Sequence, residues 1–96
     1  MPNIVSKSGI LQWNNESIEL TPSKIGVYVL RDLPTINGIV YIAYSDNLKE
    51  SLKEKFVKMS NYDIAWFDWY EVDTKDYGEK ITQEWIGKYS PKYNLS

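Results

Sequence analysis

Gly26-Val27-Tyr28-Val29-Leu30-Arg31 and Ile39-Val40-Tyr41-Ile42-Ala43-Tyr44 are the two stretches on which the fold turns. Both are dense in β-branched and aromatic residues, the types that suit a pleated, half-buried surface. Pro34 and the pair Asn37-Gly38 lie between them. Asn-Gly favours the positive φ angles of tight hairpin turns, so the two strands are expected to be antiparallel neighbours.

Working outward, Ser45 or Asp46 is expected to cap a helix reaching about Lys58, with Leu48, Leu52 and Phe56 on one face at four-residue spacing. The aromatic run over 64–72 reads as a third strand. Tyr77, Ile81 and Trp85 repeat every four residues in a last helix over 75–89, which Pro91 ends. Residues 1–24 form a polar extension anchored by Ile10, Leu11 and Trp13. Within it, a short helix near 16–20 is capped by Asn14 or Asn15 and stopped by Pro22. The expectation is one α/β (α+β) domain over 25–96, in the order β-β-α-β-α. Its small three-stranded antiparallel sheet is flanked by helices, and the 1–24 extension packs on this core.

The 96 residues include four Trp, eight Tyr and two Phe, enough large side chains for a core, and neither Cys nor His. Thiolate metal sites and disulfides are therefore excluded. Acid–base work at neutral pH would fall to Asp, Glu, Lys, Tyr or metal-bound water. The net charge of −2 lacks the basic excess usual in nucleic-acid binders. No apolar run is long enough for a membrane span and no signal-peptide pattern opens the chain, so a soluble cytoplasmic protein is expected.

Gly26-Val27-Tyr28, Tyr41-Ile42-Ala43 and the closing Pro91-Lys92-Tyr93-Asn94, in this order and with a helix after the second block, resemble the GIY-YIG nuclease family. The resemblance covers roughly 25–95 and implies cleavage of DNA phosphodiesters with one divalent metal. It implies that Tyr28, Tyr41 and Asn94 occupy retained catalytic positions. The family's arginine, ten residues beyond the second tyrosine, falls on Ser51, and its metal-binding glutamate falls on Thr82. A serine carries no fixed positive charge, and a threonine hydroxyl is a poor substitute for a carboxylate at a hard cation. The resemblance therefore implies a degenerate site, with no cofactor expected. Mg2+ or Mn2+ would enter only if the chemistry had moved to Lys55 and Glu79, each about one helical turn from the lost position. Glu84 would point to a different face.

Lys49, Lys53 and Lys55, with Tyr44 for stacking, could follow a nucleic-acid backbone. Interleaved Glu50 and Glu54 equally fit a solvated, ion-paired helix. In Trp66-Phe67-Asp68-Trp69-Tyr70, alternation sends Trp66 and Tyr70 to one side of the strand and Phe67 and Trp69 to the other. Helices on both faces would bury all four. An open face would instead present an aromatic, acid-rimmed patch to a protein partner. The functional expectation is a binding module engaging an unidentified protein, with an active endonuclease or a non-cleaving DNA binder as rivals.

Overall fold

The computed structural model describes residues 3–94; the expected domain limits at 1 and 96 lie outside them. β3 (Gly26–Arg31) and β4 (Ile39–Ser45) pair antiparallel, with Tyr28 opposite Ala43 and Leu30 opposite Tyr41. β5 (Trp66–Val72) runs antiparallel along the other side of β3. The expected three strands therefore pair directly in the order β5-β3-β4, with β4 at one edge of the sheet. α2 (Leu48–Lys58) and α3 (Lys75–Tyr89) complete the β-β-α-β-α order.

The extension contributes more than packing. β1 (Ile4–Lys7) and β2 (Leu11–Gln12) both pair with β5, making a five-stranded sheet. These strands are short and mostly exposed, which hides them from any periodicity argument. α1 (Asn15–Glu19) begins where Asn14 accepts a hydrogen bond from the Ser17 amide at 2.9 Å, as the capping pattern predicts.

The expected antiparallel pairing of β3 with β4 holds, though their connection is not a tight turn at Asn37-Gly38. It is a wider loop closing in a 3-10 turn at Ile36–Gly38, where the Asp32 amide donates to the Gly38 carbonyl at 2.9 Å. The α2 cap is Asn47, not Ser45 or Asp46. Its side chain accepts from the Glu50 amide, while the Ser45 hydroxyl accepts from the Asn47 amide one step earlier.

Strand alternation divides the core into two layers. Tyr28, Leu30 and Phe67 meet Leu48 and Leu52 of α2 and Ile18 of α1. Val27, Val29, Ile42 and Val72 meet Ile81 of α3 on the opposite face. Leu48 and Leu52 are fully buried, and burial of each contributes about 1.5–3 kcal/mol. Helices thus cover both faces, and Phe67 is buried while Trp66, Trp69 and Tyr70 are half-buried. The aromatic strand forms no open patch.

The glycine of the first tripeptide has a packing reason. A Cβ on Gly26 would sit 2.3 Å from the Tyr70 carbonyl oxygen and 2.7 Å from Leu48 Cδ1. Gly78 does the same for α3, since a Cβ there would meet the Tyr44 ring at 2.7 Å. The helix tolerates this glycine, at about 1 kcal/mol in propensity, because it lets α3 lie close on β4.

Candidate functional site

β4 is an edge strand, and the chain closes part of its free side with a side chain. The Asn94 amide accepts from the Ile42 N–H at 2.9 Å and donates to the Ile42 carbonyl at 3.0 Å. It reproduces the pairing a neighbouring strand would give, which protects an edge against association with other chains. The Ser90 αL cap and buried Pro91 turn the chain back from α3, bringing Asn94 to that position.

Beside this clasp runs a cleft of about 300 Å3 between β4 and α3, lined by Tyr41, Tyr44, Glu79, Thr82, Gln83 and Asn94, among others. The structure therefore brings Tyr41, Asn94, Thr82 and Glu79 to one place. Gln83 joins them without having been singled out by sequence, since nothing distinguishes it from any other exposed polar helix residue. Tyr28 is buried on the α2 face, with its ring 6.1 Å from that of Tyr41. Burial, and then the neighbouring Tyr41 phenol, push the Tyr28 phenol far above its ordinary pKa. Lys55 Nζ lies 5.3 Å from the centre of the Tyr41 ring, and Glu79 lines the cleft together with Tyr41.

Ser51 and Thr82, where the resemblance puts the family's arginine and glutamate, are tied into the scaffold. Ser51 shares a short hydrogen bond with Ser45. Thr82 is buried and donates to the Gly78 carbonyl at 2.8 Å, one turn back along α3. Glu79, the cleft's one carboxylate, is exposed, and the Asn94 amide is occupied by Ile42. Among the described residues, no three or more His, Cys, Asp or Glu side chains come together as a metal-binding group. Glu79 is the one side chain of this cleft whose carboxylate a divalent cation could use, with water and phosphate oxygens completing the shell.

The proposed nucleic-acid set is divided by the helix. Lys53 pairs with Glu19 of α1 at 2.7 Å, and Lys58 with Glu54 at 3.0 Å. Lys49 and Lys53, four residues apart, share a face from which Lys55 is turned away toward Tyr41. Tyr44 is also constrained. Its ring lies on Gly78, and its hydroxyl donates to Asp46 at 2.9 Å. Burial, with that hydrogen bond, pushes the Tyr44 phenol up to about 12.

A second polar group lies on the α3 face at the far end of β3. Arg31, the chain's only arginine, donates from Nε to Asp68 Oδ1 at 2.9 Å and from Nη2 to Asp68 Oδ2 at 3.2 Å. Nη1 donates to the Thr35 carbonyl at 2.8 Å, and the Tyr70 hydroxyl donates to Asp68. Burial opposes the Arg31 charge, but Asp68 more than offsets this and raises the guanidinium pKa. Burial, then the bond to Asp68, raises the Tyr70 phenol well above its usual range. Asp68 thus belongs to the core and not to an acidic rim. The alternation of Asp68 and Tyr70 on one face was legible in the sequence; their pairing with Arg31 needed the strand register.

The fold is that of a GIY-YIG-like domain. It is similar to the GIY-YIG N-terminal endonuclease domain of UvrC from Thermotoga maritima, in crystal structures of single Tyr-to-Phe variants bound to a catalytic divalent cation. One of them aligns with a TM-score of 0.69 at 23% identity, covering 84% of this chain and 93% of that one. Another gives 0.69 at 22% with the same coverage. No protein-family model and no curated protein matches the chain.

Proposed function

We propose that this GIY-YIG-like domain has lost phosphodiester hydrolysis and acts by binding, with a protein partner engaging the cleft between β4 and α3. One observation carries the reading. The residues at the positions where the family places its arginine and glutamate, Ser51 and Thr82, spend their hydroxyl groups inside the scaffold, on Ser45 and on the Gly78 carbonyl. Loss of one preorganised electrostatic group costs about 10²–10³ in rate, and here both the phosphate-facing cation and the metal anchor are replaced. What persists is the part that shapes a surface: Tyr41, the Asn94 clasp and a concave cleft. Ion pairing of Lys53 and Lys58 with glutamates favours a protein over a DNA backbone as the partner.

The test combines calorimetric titration with Mg2+ and Mn2+ and a nicking assay on supercoiled plasmid. The expected result is no saturable metal binding up to millimolar concentrations and no nicking in either metal. Metal-dependent nicking that Glu79→Gln or Tyr41→Phe abolishes would overturn the reading, and would establish a site moved to Glu79 and Lys55. Salt-sensitive retention of DNA without nicking would keep the loss of catalysis and replace the protein partner with nucleic acid.

A further inference from the structure

The edge of β4 is closed at Ile42 and open at Tyr44. In an antiparallel ladder, alternate residues turn both backbone groups toward the neighbouring strand, and the rest turn outward. Ile42 turns outward, since its N–H and C=O both pair with the Asn94 amide. Tyr44, two residues on, therefore turns outward as well. The far side of β3 agrees. There the Val72 N–H donates to the Ile25 carbonyl, so Val27, which lies opposite Tyr44, pairs toward Tyr70 of β5. The Tyr44 N–H and C=O thus have no backbone partner among the described residues.

The cleft lies on this outward side. Tyr41, Ile42, Ala43 and Tyr44 line it together with Asn94. Consecutive strand side chains alternate between the two faces, so a space touching all four runs along the strand's edge. Its flanks carry opposite charges. On the α3 face, where the Tyr44 ring lies on Gly78, the next helix residue is the exposed Glu79. On the α2 face, Tyr41 and Ala43 pack toward α2, and the half-buried Lys55 holds its Nζ against the Tyr41 ring. Neither Lys55 nor Glu79 forms an ion pair among the described residues. An open N–H and C=O on one strand residue match the same two groups of another extended backbone. A phosphodiester backbone accepts hydrogen bonds but has no donor for the Tyr44 carbonyl.

We propose, resting on the reading that this cleft takes a protein partner, that the partner adds an extended segment antiparallel to β4. One of its residues exchanges both backbone hydrogen bonds with Tyr44. Alternation puts that residue's side chain on the α3 face, toward Glu79, and it is basic. The following residue, opposite Ala43, faces α2 and Lys55, and it is acidic. The pairing stops there, because Asn94 already holds the next outward position at Ile42.

The experiment is an NMR titration of the intact, nitrogen-labelled protein with three capped pentapeptides of threonine and valine. The first ends in lysine followed by glutamate, the second has these two exchanged, and the third is the first with a methyl group on the lysine backbone nitrogen. The expected result is a saturable shift of the Tyr44 amide with the first peptide. Affinity should be about tenfold weaker for the exchanged peptide, which sets like charges together. It should be about tenfold weaker for the methylated one, which lacks the donor for the Tyr44 carbonyl. No saturable shift at Tyr44 up to millimolar peptide would overturn the proposal. Equal affinity for the methylated peptide would exclude backbone pairing, and equal affinity for the exchanged one would exclude selection by Lys55 and Glu79; either overturns it as stated. The three peptides are compared on the unaltered chain, so no variant has to fold. A negative result here, with metal binding and nicking also absent, leaves the loss of catalysis standing. Metal-dependent nicking would remove that reading whatever the peptides do.

Discussion

Two polar groups in this small domain have opposite characters. In the cleft beside β4, the buried Thr82 hydroxyl is turned inward on the Gly78 carbonyl, and the one carboxylate, Glu79, stands exposed. At the far end of β3, the sole arginine is buried against a buried aspartate, with a tyrosine hydroxyl on the same carboxylate. Charge in the cleft is dispensable to the fold. Charge at Arg31 and Asp68 is committed to it, because each ion is held away from water and depends on the other.

The largest consequence is expected at the buried pair. Asp68→Ala leaves the Arg31 guanidinium without its counter-charge and should cost about 3–5 kcal/mol, a large share of the roughly 5–15 kcal/mol available to a domain. Urea unfolding would measure it. The double variant Arg31→Met with Asp68→Leu should recover most of that loss, since two apolar side chains of similar volume carry no desolvation penalty. A double variant as unstable as the single one would mean that the pair contributes specific geometry beyond mutual neutralisation.

Alkaline pH should separate the two regions next. Tyr28, Tyr44 and Tyr70 all have folded-state pKa values above the ordinary 10.0. Each phenol therefore supports the fold fully below about pH 10 and loses that support as pH rises through its folded value. The Tyr44 share should disappear between 10.0 and about 12; those of Tyr28 and Tyr70 persist to higher pH. Phenolate absorbance followed against pH should show Tyr28 and Tyr70 ionising only with unfolding. A smooth titration of all eight tyrosines near the ordinary value would contradict the burial at both sites.

The Asn94 clasp should matter less. Asn94→Ala removes both bonds to Ile42, but the edge groups it frees can turn to water, so a loss of about 1 kcal/mol is expected. Faster hydrogen exchange of the Ile42 amide would localise it. Smallest of all is Lys53→Ala, whose partner Glu19 is fully exposed. Its unfolding midpoint should match the parent within error, as surface ion pairs usually do.

The strand pair was legible because a β-hairpin is a local object: β3 spans Gly26–Arg31 as the pattern predicted, and α3 spans Lys75–Tyr89. The cleft was legible only through the resemblance, which singled out Tyr41, Thr82 and Asn94 that line it, together with Tyr28 and Ser51 that do not. β1 and β2 were missed because strands of four and two residues with exposed side chains carry no hydrophobic period. They exist because β5 offers them an unpaired edge. The α2 cap shifted to Asn47 because capping depends on which side chain reaches the Glu50 amide, not on which polar residue comes first.

The sequence by itself determined β3, β4, β5, α2 and α3 and their order, and put Ser51 and Thr82 where the resemblance expects charge, since periodicity and residue identity are properties of the chain alone. Only the tertiary structure decided where the chain's charge is buried. Arg31 and Asp68 are separated by 36 intervening residues, and their meeting depends on the β3–β5 register that sets Val29 opposite Asp68 and Arg31 opposite Trp66. That register is a long-range consequence of packing both sheet faces at once, and a shift of one residue would turn every one of these side chains to the opposite layer.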